Sequence, residues 1–443
     1  MRKRYFFIPL IAIIVISGVL VWACKHPFGE GLSIINIGKK VDYSIEEGGP
    51  GYKGEIGKGV TNSIIMPNKV KVFPMRDGNN YYRIPTLIQL TNGDLLAFAD
   101  KRKGTIGDLP NSIEVVMKRS TNNGKTWSAE TRITPESKSK TDGHGDAGFI
   151  LDRKRGNIVG VVASDNGFLA STHEKPIRIK IIKSVDNGKT WSEPVDITPQ
   201  IYGAQCKDLT RKNWQAAFAA SGNGVQLRNG RMLFVLAVRE AKENFAKNYV
   251  MYSDDGGDTW KVSKNAPQSS LGGDEAKIVE LNDGSLIMAI RPKDIYQRRL
   301  AKSTDNGETW GEAVFRRDLP SSASNGDIIY YTSTLNGWDK NRIITMFDSV
   351  PYTKATPPGS PKLYWSYDEG KTWKGRLIHS GNAGYSSLAI LKDGSIGILA
   401  EIGGSWNGPI YFMRVNMRYL TSNADKGPFY TNQTATNNNS KVK

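Results

Sequence analysis

Arginine, tyrosine and carboxylate side chains are the groups in this 443-residue sequence best suited to chemistry, and they recur in short segments with strand-like alternation. These are Tyr82-Arg83-Ile84-Pro85, Asp100-Lys101-Arg102 with Asp108 beyond it, His144-Gly145-Asp146, Asp274-Glu275, Arg291, Gly384-Tyr385-Ser386-Ser387-Leu388 and Ala400-Glu401. A planar arginine fork binds a carboxylate through paired N–H···O bonds. A tyrosine hydroxyl becomes a nucleophile when a neighbouring carboxylate takes its proton. Singly, each residue has a plainer reading: Arg83 as a strand-edge ion-pair residue, Tyr385 as a packed aromatic, Glu275 as an exposed loop charge, Arg102 as a solvated one. Other catalytic classes lack their parts. The four histidines (His26, His144, His173, His379) show no metal-ligand spacing, and neither a nucleophile elbow nor a phosphate-binding glycine loop is present.

Two internal repeats define the elements that must position these groups. The pattern Ser-x-Asp-x-Gly-x-Thr-Trp begins at Ser184, Ser253, Ser303 and Ser366, and a copy at Ser120 carries Asn122 in the Asp position. Asp and Ser can bond backbone N–H groups within such a turn, Gly supplies positive φ, and the Trp can pack beneath as an apolar plug. The box is therefore a structural device. A calcium loop is excluded because no bidentate Glu follows at the required position. Independently, turn signals lead into apolar strands at Asn92-Gly93, Arg155-Gly156, Asn229-Gly230, Asp283-Gly284, Asn336-Gly337 and Asp393-Gly394. Six hairpins alternating with five boxes, at the period of a four-stranded blade with its loops, predict an all-β, six-bladed β-propeller over residues 62–420.

A propeller alone does not give function, and the Asp-box repeat also occurs in sorting receptors and assembly factors that catalyse nothing. The segments between the boxes decide. From about residue 70 to 415 the chain resembles the bacterial sialidase (neuraminidase) superfamily, whose Arg-Ile-Pro motif is matched by Arg83-Ile84-Pro85 and whose other segments follow in the same order. The resemblance implies an exo-α-sialidase, a glycoside hydrolase needing no cofactor. It makes Tyr385 the nucleophile, Glu275 the base that takes its proton, and Asp108 the general acid/base, with Asp100 and Asp94 the other carboxylates close to that position. Arg83 and Arg291 would hold the substrate carboxylate, Arg102 and Asp146 would contact the sugar, and Glu401 would steady Arg83. A tyrosine suits a sugar bearing a carboxylate on its anomeric carbon, because a carboxylate nucleophile would be repelled; sialidases are a recognised exception to the two-carboxylate scheme. The covalent intermediate implies retention.

The family's third clamp arginine has no counterpart in its expected stretch, since no Arg lies between Arg342 and Arg376. Lys354, Lys362 or a displaced Arg342 could substitute. A lysine keeps the charge and loses the fork, at a cost of roughly 1.5–3 kcal/mol. Two alternatives to a sialidase follow: a catalytically silent surface glycan-binding propeller, or a glycosidase for another nonulosonic acid.

The net charge of +17 is spread along the chain with no aromatic-interleaved basic run, which gives no support to nucleic-acid binding. Arg2-Lys3-Arg4 precedes an apolar run from Tyr5 to Ala23 that reads as an export signal over residues 1–24. Val21-Trp22-Ala23-Cys24 resembles a bacterial lipoprotein box, so lipidation at Cys24 is expected, with an uncleaved signal anchor or simple secretion as alternatives. Residues 25–61 read as a flexible tether and 421–443 as a disordered tail. The expected protein is an exported, membrane-held monomer acting on sialylated glycoconjugates.

Overall fold

The computed structural model describes residues 56–57, 60–219, 221–241, 245–268, 272–291, 297–348, 359–404 and 407–431, together with two short strands near the N-terminus. The chain divides into two units, Met1–Ser44 and Ile45–Lys443. In the first, Ile13–Ile16 pairs antiparallel with Val19–Trp22. Among the described residues no helix is long and apolar enough to cross a membrane. Cys24, most of the tether and residues 432–443 lie outside the described residues.

The second unit is the six-bladed propeller. Its sheets cover residues 76–132, 144–196, 216–262, 276–320, 327–377 and, for the sixth, 383–415 closed by Val70–Phe73. Val70–Phe73 pairs with Ile410–Val415 as the outermost strand of the last blade. That closure explains the unequal repeat counts. Each box begins on the last residue of a blade's third strand and turns it into the fourth. In the sixth blade the fourth strand comes from the other end of the chain, so there is no such turn to build.

Within a box the hydrogen bonds follow the residue types. Ser184 Oγ donates to Asp186 Oδ1 at 2.9 Å and accepts from the Gly188 amide at 2.8 Å; Asp186 also accepts from the Thr190 amide (2.9 Å) and hydroxyl (2.6 Å). The tryptophans pack inward: Trp191 meets the Phe98 ring of the preceding blade edge-on at 5.9 Å, and Trp127 meets Phe412 across the closure at 5.4 Å. All six turn glycines identified from the repeats have positive φ. The Asn336-Gly337 pair sits in a longer connection, where a 3₁₀ turn over Thr334–Asn336 ends on Gly337.

Consecutive blades touch around a ring that closes where Ala383–Ile390 meets Asn80–Gln89. Polar groups staple the ring near its axis. The Leu388 amide donates to Asp327 at 2.8 Å, the Leu87 amide to Ser387 Oγ at 3.1 Å, and Asn223 Nδ2 to the Leu87 carbonyl at 2.6 Å.

Two expectations at the edges of the domain are corrected. The chain is placed as far as Thr431, where a disordered tail was expected from 421. Asp425 is buried, Tyr430 packs edge-on against Trp338, and Arg342 Nε donates to Asp425 at 2.8 Å. The polar composition of this segment hides one carboxylate that neutralises a buried cation. At the other end, the Gly57 and Thr61 amides already bond the Lys392 and Asp393 carbonyls.

Candidate active site

Alternation of strand direction sorts the motifs onto two faces. Boxes and Asn-Gly or Asp-Gly turns join strands at one end of each blade. The starts of first strands, ends of second strands and starts of third strands lie at the other. Arg83, Asp146 and Tyr385 lie on first strands, Glu401 near the end of a second strand, Glu275 just before a first strand and Arg291 just after a second. Asp108 is in the loop between Leu95–Lys103 and Ile113–Ser120. The most conspicuous repeat is thus remote from the candidate site.

Three of these residues stand at β-bulges. The register shifts between Arg83 and Thr86, between Val161 and Ala163 opposite Asp146, and between Ala383 and Ser386 around Tyr385. Ile84 and Asp146 have positive φ, 59° and 53°. A bulge places two residues against one and re-aims a side chain, leaving an amide without its ladder partner. Buried carboxylates accept those amides. Glu401 takes Ile84 N at 3.0 Å and Tyr385 N at 3.1 Å, and Asp100 takes Asp146 N at 3.1 Å. Gly145 is required here, since a Cβ would stand 2.9 Å from Asp100 Oδ2.

The result is a cavity of about 360 Å³ lined by Arg83, Asp108, Asp146, Glu275, Arg291 and Tyr385, with Asp274, Arg239 and several apolar residues completing it. Arg83 binds Glu401 bidentately, Nε to Oε1 at 2.9 Å and Nη2 to Oε2 at 3.1 Å. Arg291 Nη1 donates to Tyr385 Oη at 2.8 Å and also to Glu275 Oε2. Glu275 Oε1 accepts from Ser221 at 2.5 Å. Both guanidinium carbons lie near the Tyr385 ring, 5.2 Å (Arg83) and 5.8 Å (Arg291) from its centroid. Burial pushes the Tyr385 hydroxyl well above its ordinary pKa, and Glu275 and Asp274 add to this while Arg291 and Arg83 oppose it.

Asp108 is exposed at the cavity mouth and held by Arg102 Nη1 at 2.7 Å. Burial raises Asp100 to about 6 against the pull of Arg102. Burial also raises Asp146 well above the usual carboxylate range, and the neighbouring Asp100 and Asp108 add to it. His144 is pushed down to about 4 by burial and by Lys180, leaving it neutral near pH 7.

Arg102 is placed differently from expectation. It is fully buried, is not among the lining residues, and spends its fork on Asp100, Asp108 and the Ile106 carbonyl. Its bond to Asp108 holds that carboxylate at the cavity mouth. Asp94 lies on the opposite face, paired with Arg119 at 2.9 Å. Arg342 is no displaced clamp residue: Asp339 and Asp425 enclose it, away from the cavity. Lys362 lies over the Tyr364 ring at 4.9 Å and does not line the cavity, and Lys354 is outside the described residues. Ser221, Asp274 and Arg239 were not anticipated. Asp274 adjoins Glu275 and could have been suspected, whereas Ser221 and Arg239 carry no sequence signal.

Comparison with known proteins places the chain in a family. The BNR repeat-like domain family matches residues 84–344. A sialidase of Micromonospora viridifaciens is 31% identical over 74% of this chain and 51% of its own length, and one of Bacteroides fragilis is 30% identical over 73% and 60%. The chain thus spans only part of those relatives. Among solved structures, a Hadza microbial sialidase superposes with a TM-score of 0.66 at 24% identity, covering 76% of this chain and 66% of that one. A leech intramolecular trans-sialidase gives a TM-score of 0.67 at 18% identity over 81% and 71%. At those identities the superpositions speak to the fold alone. The chain belongs to the BNR repeat-like domain family, within the sialidase superfamily.

Proposed function

We propose that the protein is an exo-α-sialidase that hydrolyses terminal α-ketosidically linked sialic acid from glycoconjugates. The observation that carries the reading is the pair of arginines flanking one tyrosine, with Glu275 on the same Arg291 nitrogen as the tyrosine oxygen. Arg83 and Arg291 receive the substrate carboxylate. With Arg291 so engaged, Tyr385 passes its proton to the adjacent Glu275 as its oxygen bonds to the anomeric carbon. The bond to the aglycone oxygen breaks, and Asp108 supplies that oxygen's proton. Asp108 then takes a proton from water, the water oxygen displaces Tyr385, and Glu275 returns the proton. Two displacements at one carbon give retention, and every step uses only side chains and water. Relatives named sialidase support the reading.

The test is a fluorogenic α-sialoside given to the purified full chain and to Tyr385→Phe. The parent releases fluorophore, and the variant loses at least about a thousandfold in kcat/KM. Proton NMR of the first product shows the α-anomer. A folded parent that releases nothing would sink the reading, and β-anomer appearing first would exclude the tyrosine intermediate.

We also propose that the protein is exported and held at the cell surface, from Arg2-Lys3-Arg4, the apolar run and the box at Cys24. Radiolabelled fatty acid incorporated by the parent and absent from Cys24→Ala is the expected result. Label in neither would leave the uncleaved anchor or secretion.

A further inference from the structure

The cavity changes character across the propeller axis. Blades follow one another around a closed ring, so the third blade faces the sixth, which carries Tyr385. The third blade contributes Phe218 and Arg239, and the second adds Phe168, Leu169 and Ile177. Phe168 and Phe218 meet edge-on at 5.2 Å. Within this apolar pole stands one cation. Arg239 Nη2 donates to the carbonyls of Phe168 (3.2 Å), Leu169 (3.4 Å) and Ser171 (2.6 Å). Its Nε is buried without a partner. Among the described residues no carboxylate pairs with it; the neighbouring Glu240 is taken by Lys247 and Tyr249. Three carbonyls thus fix one edge of the guanidinium, leaving Nη1 for whatever fills the pole.

We infer that Arg239, standing where the N-acyl group on C5 of a sialic acid would lie, selects an acyl group bearing an oxygen, N-glycolyl over N-acetyl. The inference rests on the sialidase reading. In the pyranose ring C5 lies across from C2, so with C2 at Tyr385 the C5 substituent projects toward the third blade. The glycerol chain on C6 is hydroxylated throughout and suits no aromatic wall. The acyl group offers an apolar carbon for Phe168 and Phe218. A glycolyl hydroxyl can accept from Nη1, whereas an acetyl methyl would cover a cationic donor and leave it unsatisfied.

The test compares two 4-methylumbelliferyl α-glycosides, of N-glycolyl- and N-acetylneuraminic acid, with the full chain and with Arg239→Met. The parent has the higher kcat/KM on the glycolyl substrate, and the variant's glycolyl-to-acetyl ratio falls about tenfold. Loss of the loop anchor alone would lower both substrates together and leave the ratio unchanged, which overturns the inference, as does a parent that prefers acetyl. If Arg239→Met is inactive on both, the ratio is read from Arg239→Ala, which also removes the donor, and an unchanged value is equally fatal. A parent that cleaves neither substrate refutes the sialidase reading itself, a different outcome from an unaltered ratio.

Discussion

Glu401 and Tyr385 are joined through the backbone: Oε2 of the buried carboxylate accepts the Tyr385 amide at 3.1 Å while the same group grips Arg83. One side chain therefore sets both the candidate nucleophile and one arm of the candidate clamp, and fills the amide vacancies of two bulges. Replacing Glu401 with Gln removes the carboxylate that Arg83 grips bidentately, in a site where that carboxylate is fully buried. Removing one partner of such a pair costs about 3–5 kcal/mol. Glu401→Gln should lower the free energy of unfolding in urea by that amount, and should raise KM as Arg83 loses its orientation. A loss below about 1 kcal/mol would show that Arg83 finds another partner.

Asp108 and the aglycone offer a second test. The carboxylate is exposed, and among the described residues only Arg102 fixes it. If it protonates the departing oxygen, its value depends on how much that oxygen needs a proton. Asp108→Asn should lower kcat/KM on a sialyl-lactose by about 10²–10⁴-fold. A phenolic leaving group, already stable as an anion, should lose much less. Equal losses on both substrates would assign Asp108 to binding alone.

Much of the fold was legible because its signals are local. A Ser-x-Asp-x-Gly-x-Thr-Trp turn carries its whole hydrogen-bond network within eight residues, and Asn-Gly sets a hairpin by φ alone. What was illegible is non-local. Nothing in Val70-Lys71-Val72-Phe73 announces that it closes a blade ending at residue 415. Arg102 looks like any solvated charge until Asp100 and Asp108 are folded around it. The bulges at Ile84, Asp146 and Tyr385 leave no compositional trace, since none uses a glycine at the residue being re-aimed. Candidate site residues could be named by resemblance, but the carboxylates that hold the bulges open could be read only from the fold.

The Arg342 cluster makes a third prediction. Its guanidinium has no exposed surface and is held by Asp339 and Asp425. Asp425 is itself kept ionised, at a pKa of about 2, since Arg342 and Tyr367 offset its burial. Asp425→Ala should therefore destabilise by roughly 3–5 kcal/mol, measured by urea unfolding, with KM changed little because the cluster lies outside the cavity. A variant as stable as the parent would mean that Asp339 alone neutralises Arg342.

The exceptional box gives the last prediction. At Asn122 the neutral amide oxygen accepts from the Thr126 amide at 3.0 Å, and Nδ2 donates to Thr126 Oγ1 at 2.8 Å. In the second blade Asp186 does the same work as an anion, and the Thr190 hydroxyl and amide hold its pKa well below the usual carboxylate range. Asn122→Asp should convert the first box to that form, with Thr126 Oγ1 turning to donate. A carboxylate whose folded pKa is depressed stabilises above its unfolded pKa of about 3.9, and that stability is lost as pH falls through the folded value. The variant should unfold about 1 °C higher than the parent at pH 7. The gain should shrink steadily between pH 4 and pH 2 as the new carboxyl is protonated. A difference that did not diminish between pH 4 and pH 2 would come from the altered turn geometry, and the charge would then have no part in the box's stability.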